Sequence, residues 1–163
     1  MVKSICSQVD LLSRAEKIGD GVFVNLKLAA IFLLTGYISD YSKPMEGSLR
    51  LVEEILPRHG FNQENVDTTK RIIRSSFSGK NETQEDKILH DARYDYLGRV
   101  DYVNLTEKLR KELSEHGTSY EDKAWIELQT RIQNEKQFIT DTARILRNVT
   151  MESQIRALTD KSV

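Results

Sequence analysis

Four charged residues have side chains of the kinds that could bind an anion or a metal ion: Glu46, Asp91, Arg93 and Asp95. A carboxylate is a hard oxygen ligand for a divalent cation, whereas a planar guanidinium binds phosphate or carboxylate through two parallel hydrogen bonds. Arg93 could therefore hold a phosphate-bearing ligand directly. The alternative is structural, because buried charges are normally paired. Arg93 would then form an internal ion pair with Asp91, Asp95 or Glu46.

Histidines supply a second candidate set, since imidazole nitrogen and carboxylate oxygen both bind divalent cations. A metal site of this kind would draw on His59, His90 and His116 together with Glu46 and Asp91. His59 and His116 have a simpler explanation, because each precedes a glycine that can end a helix, where a positive charge is favoured. A metal site built from these residues is therefore the less favoured interpretation.

Two further groups of side chains also allow a functional and a structural interpretation. Lys70, Arg71, Arg74 and Lys80 could steer a phosphorylated ligand, but such charges are more typical of the solvated face of an amphipathic helix. Four aromatic residues could stack on a nucleotide base, but their helical spacing favours positions in the core. They are Tyr94, Tyr96, Tyr102 and Trp125.

The composition indicates a globular protein from a reducing compartment. The 163 residues include 24 Lys+Arg and 25 Asp+Glu, which excludes a basic nucleic-acid footprint over the whole surface. The lone Cys6 can form no internal disulfide, which fits the cytoplasm. Asp10 interrupts the apolar core that a signal peptide would need, and the apolar run 28–34 is far shorter than the roughly 20 residues that cross a bilayer. We therefore expect no secretion, no membrane and no DNA partner.

Helical signals recur along the chain, while no segment alternates apolar and polar residues as a half-buried strand does. Asn62 can cap one helix, and Thr83 with Asp86 resembles the capping box of another. Gly79 and Gly117 stand where helices would end. These signals predict an all-α fold, a compact bundle of about six or seven helices.

Some local expectations depend on how these helices pack. Residues 22–34 are almost all apolar, so we expect that helix to be buried on every side. Gly36 would then supply a left-handed cap after it, and Ser42 would cap the helix that begins near Pro44. We expect one domain over residues 1–163, with its core at about 5–149 and a short turn and frayed tail at 150–163.

Two segments together resemble the HD-domain metal-dependent phosphohydrolases, an all-helical superfamily that acts on nucleotides and other phosphate esters. The first is residues 29–37 (AAIFLLTGY) followed by residues 45–48 (MEGS), and the second is residues 87–99 (KILHDARYDYLGR). Working members read A-A-L-F-H-D-T-G followed by H-E, and then L-x-D-A-D-L-D-x-L-G-R. The order and spacing match, and the resemblance covers residues 10–147. It implies an HD-like helical domain.

The resemblance fails at the metal ligands. In the family, imidazoles and carboxylates hold a divalent metal that binds the phosphate and activates a water. Here Leu33 and Leu34 replace the His-Asp pair, Met45 replaces a later histidine, and no histidine occurs in residues 1–20. Arg93 replaces the second acid of the distal motif, and a guanidinium stays protonated and repels a cation. The resemblance therefore implies an HD scaffold without its metal.

The function we expect is binding without hydrolysis, and we expect no cofactor and no catalytic residue. A phosphate-bearing small molecule, a nucleotide or a protein partner would bind at the former active-site positions, which are Leu33, Leu34, Glu46, Asp91, Arg93 and Asp95. One alternative is a metal-dependent phosphohydrolase with a rearranged ligand set that includes Glu46, Asp91 and Asp95. Another is a purely structural or interaction module, such as a homodimer.

Overall fold

The computed structural model describes residues 2–147 and 149–161 of the chain. Throughout those residues the regular secondary structure is helical, with ten α-helices and two short 3-10 helices and no strand, so the all-α prediction is confirmed. The chain divides into two compact units, Met1–Arg93 and Tyr94–Val163. Each unit is described by itself below, and the assignment of residues 1–163 to a single domain stays a prediction.

The first unit is built around one central helix. Its α-helices are α1 (Val2–Ala15), α2 (Asp20–Phe32), α3 (Gly36–Ser39), α4 (Pro44–Ile55), α5 (Gln63–Ser78) and α6 (Gln84–Arg93), and a 3-10 helix covers Pro57–His59. Helix α2 packs against α1, α4, α5 and α6, and α3 packs against α4. Fully buried apolar side chains fill the space between them, among them Val9, Leu26, Val52, Ile72 and Leu89.

The predicted helix ends of the first unit are confirmed. Asn62 Oδ1 accepts a hydrogen bond from the Asn65 backbone N–H at 3.0 Å, and Asn65 Oδ1 accepts one from the Asn62 backbone N–H at 3.3 Å, so the two residues form a capping box. Thr83 and Asp86 exchange the same pair of hydrogen bonds at 3.1 and 3.3 Å. Gly79 ends α5 in the left-handed conformation, with φ +75°.

Two expectations for the first unit are wrong. Helix α2 is buried on one side only, because Val24 and Ile31 are 41% and 40% exposed on the other side. Ser42 does not cap α4, since its backbone N–H and hydroxyl both donate to the carboxylate of Asp40 instead. Lys43 is the residue that precedes α4, and its side chain makes no capping hydrogen bond.

Helix α2 is also part of an apolar segment that is longer than the apolar run at residues 28–34. Among the described residues, Asp20–Ser39 is the one helical segment long and apolar enough to cross a membrane by length and composition, and 33% of its most apolar stretch is buried. The core helix of a soluble protein passes the same test. Helix α2 packs against four other helices of the first unit.

The second unit holds α7 (Tyr102–Glu115), α8 (Asp122–Glu135), α9 (Asp141–Leu146) and α10 (Met151–Lys161), preceded by a 3-10 helix over Asp95–Gly98. Gly117 is left-handed after α7, as predicted. The tail expected over residues 150–163 is wrong for residues 151–161, which form α10. This helix packs on α7 and α8 and buries Gln154 and Leu158, so tertiary contact stabilises a segment with weak local signals.

The interior of the second unit mixes aromatic and amide side chains. Trp125 and Tyr102 are each 1% exposed, which places both in the core as expected. The Tyr102 hydroxyl donates to Gln129 Oε1 at 3.1 Å. Burial raises the pKa of Tyr102 to about 12, because a phenolate inside the protein loses its hydration. Two buried donors of this interior, Trp125 Nε1 and Gln129 Nε2, have no hydrogen-bond partner in the described part of the chain.

Candidate functional site

The first motif forms a closed turn between α2 and α4. Leu33 is fully buried, and its carbonyl accepts a hydrogen bond from Ser48 Oγ at 3.2 Å. The same hydroxyl oxygen accepts from the Gly36 backbone N–H at 3.0 Å. Ser48 therefore bridges the end of α2 to the start of α3, and Leu33 is part of the core.

Two glycines allow α3 and α4 to touch. A Cβ on Gly36 would collide with the Pro44 carbonyl and lie 2.6 Å from the Ser48 backbone nitrogen, and a Cβ on Gly47 would lie 2.9 Å from Gly36 Cα. Gly36 is not a left-handed cap, so that expectation is wrong, since its φ is not positive. Glycine is needed here because two backbones approach closely.

The other two candidates of the first motif are more accessible. Leu34 is half-buried directly after Leu33, and Glu46 is exposed on the first turn of α4. A carboxylate in the first turn of a helix is favoured by the helix dipole, which gives Glu46 a structural reason to be there. Because Glu46 lies two residues before Ser48, the Ser48 bridge brings its segment next to the buried Leu33.

Arg93 is held against α5. Its NH1 donates to the Ser76 carbonyl at 2.9 Å and to Ser76 Oγ at 3.2 Å, and its guanidinium carbon lies 4.6 Å from the centre of the Phe77 ring. The side chain is half-buried at the last residue of α6. A cation over an aromatic face with a carbonyl acceptor is a stable packing arrangement. The guanidinium thus crosslinks α6 to α5.

Asp91 and His90, adjacent in sequence on α6, are buried polar groups. Asp91 is 1% exposed and His90 is 5% exposed, and His90 Nδ1 lies 3.4 Å from the Asn81 side-chain nitrogen. One turn earlier, Asp86 accepts from Arg71 NH1 at 2.9 Å. Because Asp91 is enclosed, it cannot line an open surface pocket.

Asp95 lies in the second unit, in an ion-pair cluster. One carboxylate oxygen is 2.6 Å from both Nε and NH2 of Arg147, and the other is 3.4 Å from Arg99 NH1. Arg99 also pairs with Asp101 at 2.8 Å, which holds the pKa of Asp101 below its usual value. Gly98 completes the contact, because a Cβ there would lie 2.9 Å from the Cα of Arg147. The C-terminal half of the second motif thus binds Arg147.

The candidate residues do not form a donor set that fits a divalent cation. Leu33 is a buried hydrocarbon, Arg93 places a cation against Ser76, and Asp95 is already paired with Arg147. Within residues 2–147 and 149–161, no group of three or more His, Cys, Asp or Glu side chains is arranged to hold a metal ion. His59, His90 and His116 are not brought together there into such a group.

Of the basic residues Lys70, Arg71, Arg74 and Lys80, two form ion pairs and two are exposed to solvent. Lys70 lies 2.8 Å from Glu53 of α4, and Arg71 pairs with Glu85 and Asp86 of α6. Arg74 and Lys80 have exposed side chains. Arg74 and Lys80 therefore fit the interpretation as a solvated face, whereas Lys70 and Arg71 connect α5 to α4 and α6.

The residues that contact the motif residues through hydrogen bonds and ion pairs were not predicted from the sequence. Ser48 was visible as part of the MEGS segment, but nothing in the sequence indicated that its hydroxyl bridges two helices. Ser76 and Arg147 lie 17 and 52 residues from the motif residues that they bind. No local pattern signals pairing over such distances.

No protein-family model matches this chain, and neither a curated protein nor a solved structure is significantly similar to it.

Proposed function

We propose that this protein is a cytoplasmic, degenerate relative of the HD phosphohydrolases that acts by binding and not by hydrolysis. The observation that supports the proposal most directly is the placement of the Arg93 guanidinium. The position where the resemblance implies a metal-binding acid holds a permanent cation, and this cation is fixed to α5 through the Ser76 carbonyl and the Phe77 ring. A second cation at that position would be repelled.

The two ligand types proposed from the sequence are not equally supported. A phosphate-bearing ligand or nucleotide would need an open pocket at the former active-site positions, and Leu33 and Asp91 are fully enclosed there. A protein partner needs only an accessible surface. The exposed apolar side of α2 supports the protein partner as the main proposal.

A turnover assay with the full chain tests the absence of hydrolysis. A panel of nucleotides and phosphodiesters with added Mn²⁺ is expected to release no phosphate above the protein-free background. Mn²⁺-dependent turnover that disappears in Asp91→Ala would instead support the hydrolase with a rearranged ligand set. Asp141→Ala is the matched control, because its carboxylate is exposed and lies outside both motifs.

Binding of inorganic phosphate and of nucleotides tests the small-molecule version. Isothermal titration of the full chain is expected to give no saturable heat with either probe. Saturable binding that is lost in Arg93→Gln, with an unchanged circular dichroism spectrum, would make a phosphate-bearing ligand the better proposal.

A further inference from the structure

The buried face of α8 consists of three side chains that can donate hydrogen bonds. Trp125, Gln129 and Gln133 are 1%, 0% and 8% exposed, and they are the buried residues of this helix. Their spacing of four residues places them in one row along the helix. We call Trp125, Gln129 and Gln133 the α8 donor row.

Each member of the α8 donor row has an enclosed N–H group that lacks an acceptor. Trp125 Nε1, Gln129 Nε2 and Gln133 Nε2 make no hydrogen bond to any atom of residues 2–147 and 149–161. An enclosed donor without an acceptor is costly, and buried polar groups are therefore almost always hydrogen-bonded to protein or to a bound molecule. Three such donors in one row point to a bound molecule that supplies oxygen acceptors.

The side chains around the α8 donor row come from α7 and α10. The Tyr102 hydroxyl of α7 donates to Gln129 Oε1 at 3.1 Å and also lies near Gln133. Helix α10 packs against α8 and α7 and brings Gln154 into the interior. Gln154 Nε2 donates to the Arg99 carbonyl at 2.9 Å, while its enclosed Oε1 has no partner in the described segments. The interior of the second unit thus holds unused donors together with an unused acceptor.

The burial and the charge of this interior favour water as the bound molecule. A larger ligand could reach side chains that are less than a tenth exposed only if α8 separated from its neighbours, whereas single waters are common in polar interiors. An anion would need a compensating cation, and no lysine or arginine is buried within residues 94–147 and 149–161. A neutral oxygen that both accepts and donates fits the N–H groups of the row and the carboxamide oxygen of Gln154.

We propose that the α8 donor row binds ordered water inside the second unit. Four helical residues advance about 6 Å, which is about twice the usual N–H···O distance of about 2.9 Å, so one water oxygen can accept from two successive members of the row. Gln129 Nε2 carries two hydrogens and can donate to a water on each side. The hydrogens of the water then remain for acceptors such as Gln154 Oε1. This proposal concerns the second unit and does not depend on the proposed function.

NMR of the full chain tests the proposal directly. Trp125 is the one tryptophan of the chain, so its indole N–H gives a single signal in an isotope-labelled sample. A cross-peak between this proton and water, with opposite signs in NOESY and ROESY spectra, is the expected result. Water that stays bound while the protein tumbles gives opposite signs, whereas hydrogen exchange with the solvent gives equal signs.

The Tyr102→Phe variant is the control for this measurement, because it removes a hydroxyl that could relay magnetisation from the solvent. The cross-peak is expected to persist in Tyr102→Phe with an unchanged circular dichroism spectrum. Absence of the cross-peak in the unmodified chain, or its loss in this folded variant, would overturn the proposal. Cross-peaks from the Trp125 indole to carbon-bound protons that belong to no residue of the chain would also overturn it, since they would identify a copurified ligand.

Removing one donor gives a second, independent measurement. Gln133→Met keeps the length of the side chain but removes its N–H groups, and its Tm by calorimetry is expected to stay at or below that of the unmodified chain, because hydrogen bonds to water are lost. Glu127→Met is the matched control, since Glu127 is exposed on the same helix and Glu, Gln and Met have similar helix propensities. A Tm raised in Gln133→Met and not in Glu127→Met would show that the Gln133 donor is buried without an acceptor and would overturn the proposal.

Discussion

The two units bury different kinds of side chain. Within the described residues, apolar side chains clearly outnumber polar ones in the interior of the first unit, whereas the second unit buries about as many polar as apolar residues. The long polar side chains among them are Gln129, Gln133 and Gln154. The first unit is held mainly by apolar burial, and the second depends on specific hydrogen bonds and ion pairs.

Because of this difference, different kinds of substitution destabilise the two units. An apolar core tolerates the loss of a polar contact but not the insertion of atoms where backbones touch. A polar interior is vulnerable to loss of a partner, since the group left behind stays buried without compensation. The lone Trp125 lies in the second unit, so its fluorescence reports unfolding there, and circular dichroism follows helices throughout.

Removing the Asp95 carboxylate is expected to have the largest effect. Asp95→Ala leaves the guanidinium of Arg147, whose side chain is 17% exposed, without its closest partner, which should cost about 4 kcal/mol. Urea unfolding followed by Trp125 fluorescence measures this loss. Asp141→Ala breaks an exposed pair with Arg144 and should change the midpoint little. Equal effects of the two variants would show that the second unit does not depend on the Asp95 cluster.

Adding one methyl group at Gly36 is expected to have the next largest effect. In Gly36→Ala the Cβ meets the backbone of Pro44 and Ser48, neither of which can move as a side chain can, at a cost of about 3 kcal/mol. Urea unfolding followed by circular dichroism measures it. Gly21→Ala is the matched control, because a Cβ there meets nothing within 4 Å and alanine favours the helix. A Gly36→Ala protein as stable as Gly21→Ala would contradict the close approach of α3 and α4.

The buried phenol of Tyr102 makes the stability of the second unit depend on pH. Its pKa is about 12 in the folded protein and 10.0 in the reference state, so the unfolded chain loses this proton first as the pH rises. The stabilising contribution is complete below pH 10 and is lost as the pH rises toward 12.

The urea midpoint from Trp125 fluorescence should therefore fall between about pH 10 and about pH 12, and it should fall less steeply in Tyr102→Phe. If the urea midpoints of the two proteins depended on pH in the same way, a raised pKa of Tyr102 would be ruled out.

A matched pair of threonine variants gives the smallest effects. Thr69 of the first unit is fully buried and its hydroxyl has no partner among the described residues, so Thr69→Val should stabilise by about 1 kcal/mol. The Thr106 hydroxyl of the second unit donates to the Tyr102 and Val103 carbonyls, so Thr106→Val should destabilise by about 1 kcal/mol. Differential scanning calorimetry resolves both signs. If both variants changed the stability in the same direction, the proposed difference between the two interiors would be contradicted.

The sequence predicted the local features of this fold well. The helix starts at Asn62 and Thr83 and the helix ends at Gly79 and Gly117 depend on nearest neighbours, and all four are confirmed. The burial of Leu33 also followed from its residue type, because a hydrocarbon side chain in an apolar run belongs in the core.

Features that depend on distant partners could not be predicted. Gly36 was assigned to a cap because the sequence does not show that Pro44 and Ser48 lie against it. The pairing of Asp95 with Arg147 spans 52 residues, and α10 forms where local signals predicted a tail, because α7 and α8 cover one of its faces. The candidate ligand-binding site stays a prediction, and the contacts of its residues could not be predicted for the same reason.

The central proposal is that the residues of the two motifs make structural contacts and do not hold a metal. Its most direct test is Mn²⁺ and Zn²⁺ titration of the full chain after chelation, with metal content measured by mass spectrometry and Tm by calorimetry. Well below one metal ion per chain, with an unchanged Tm, is the predicted result. One tightly bound ion per chain that raises Tm, and that Asp91→Ala removes, would contradict the claim.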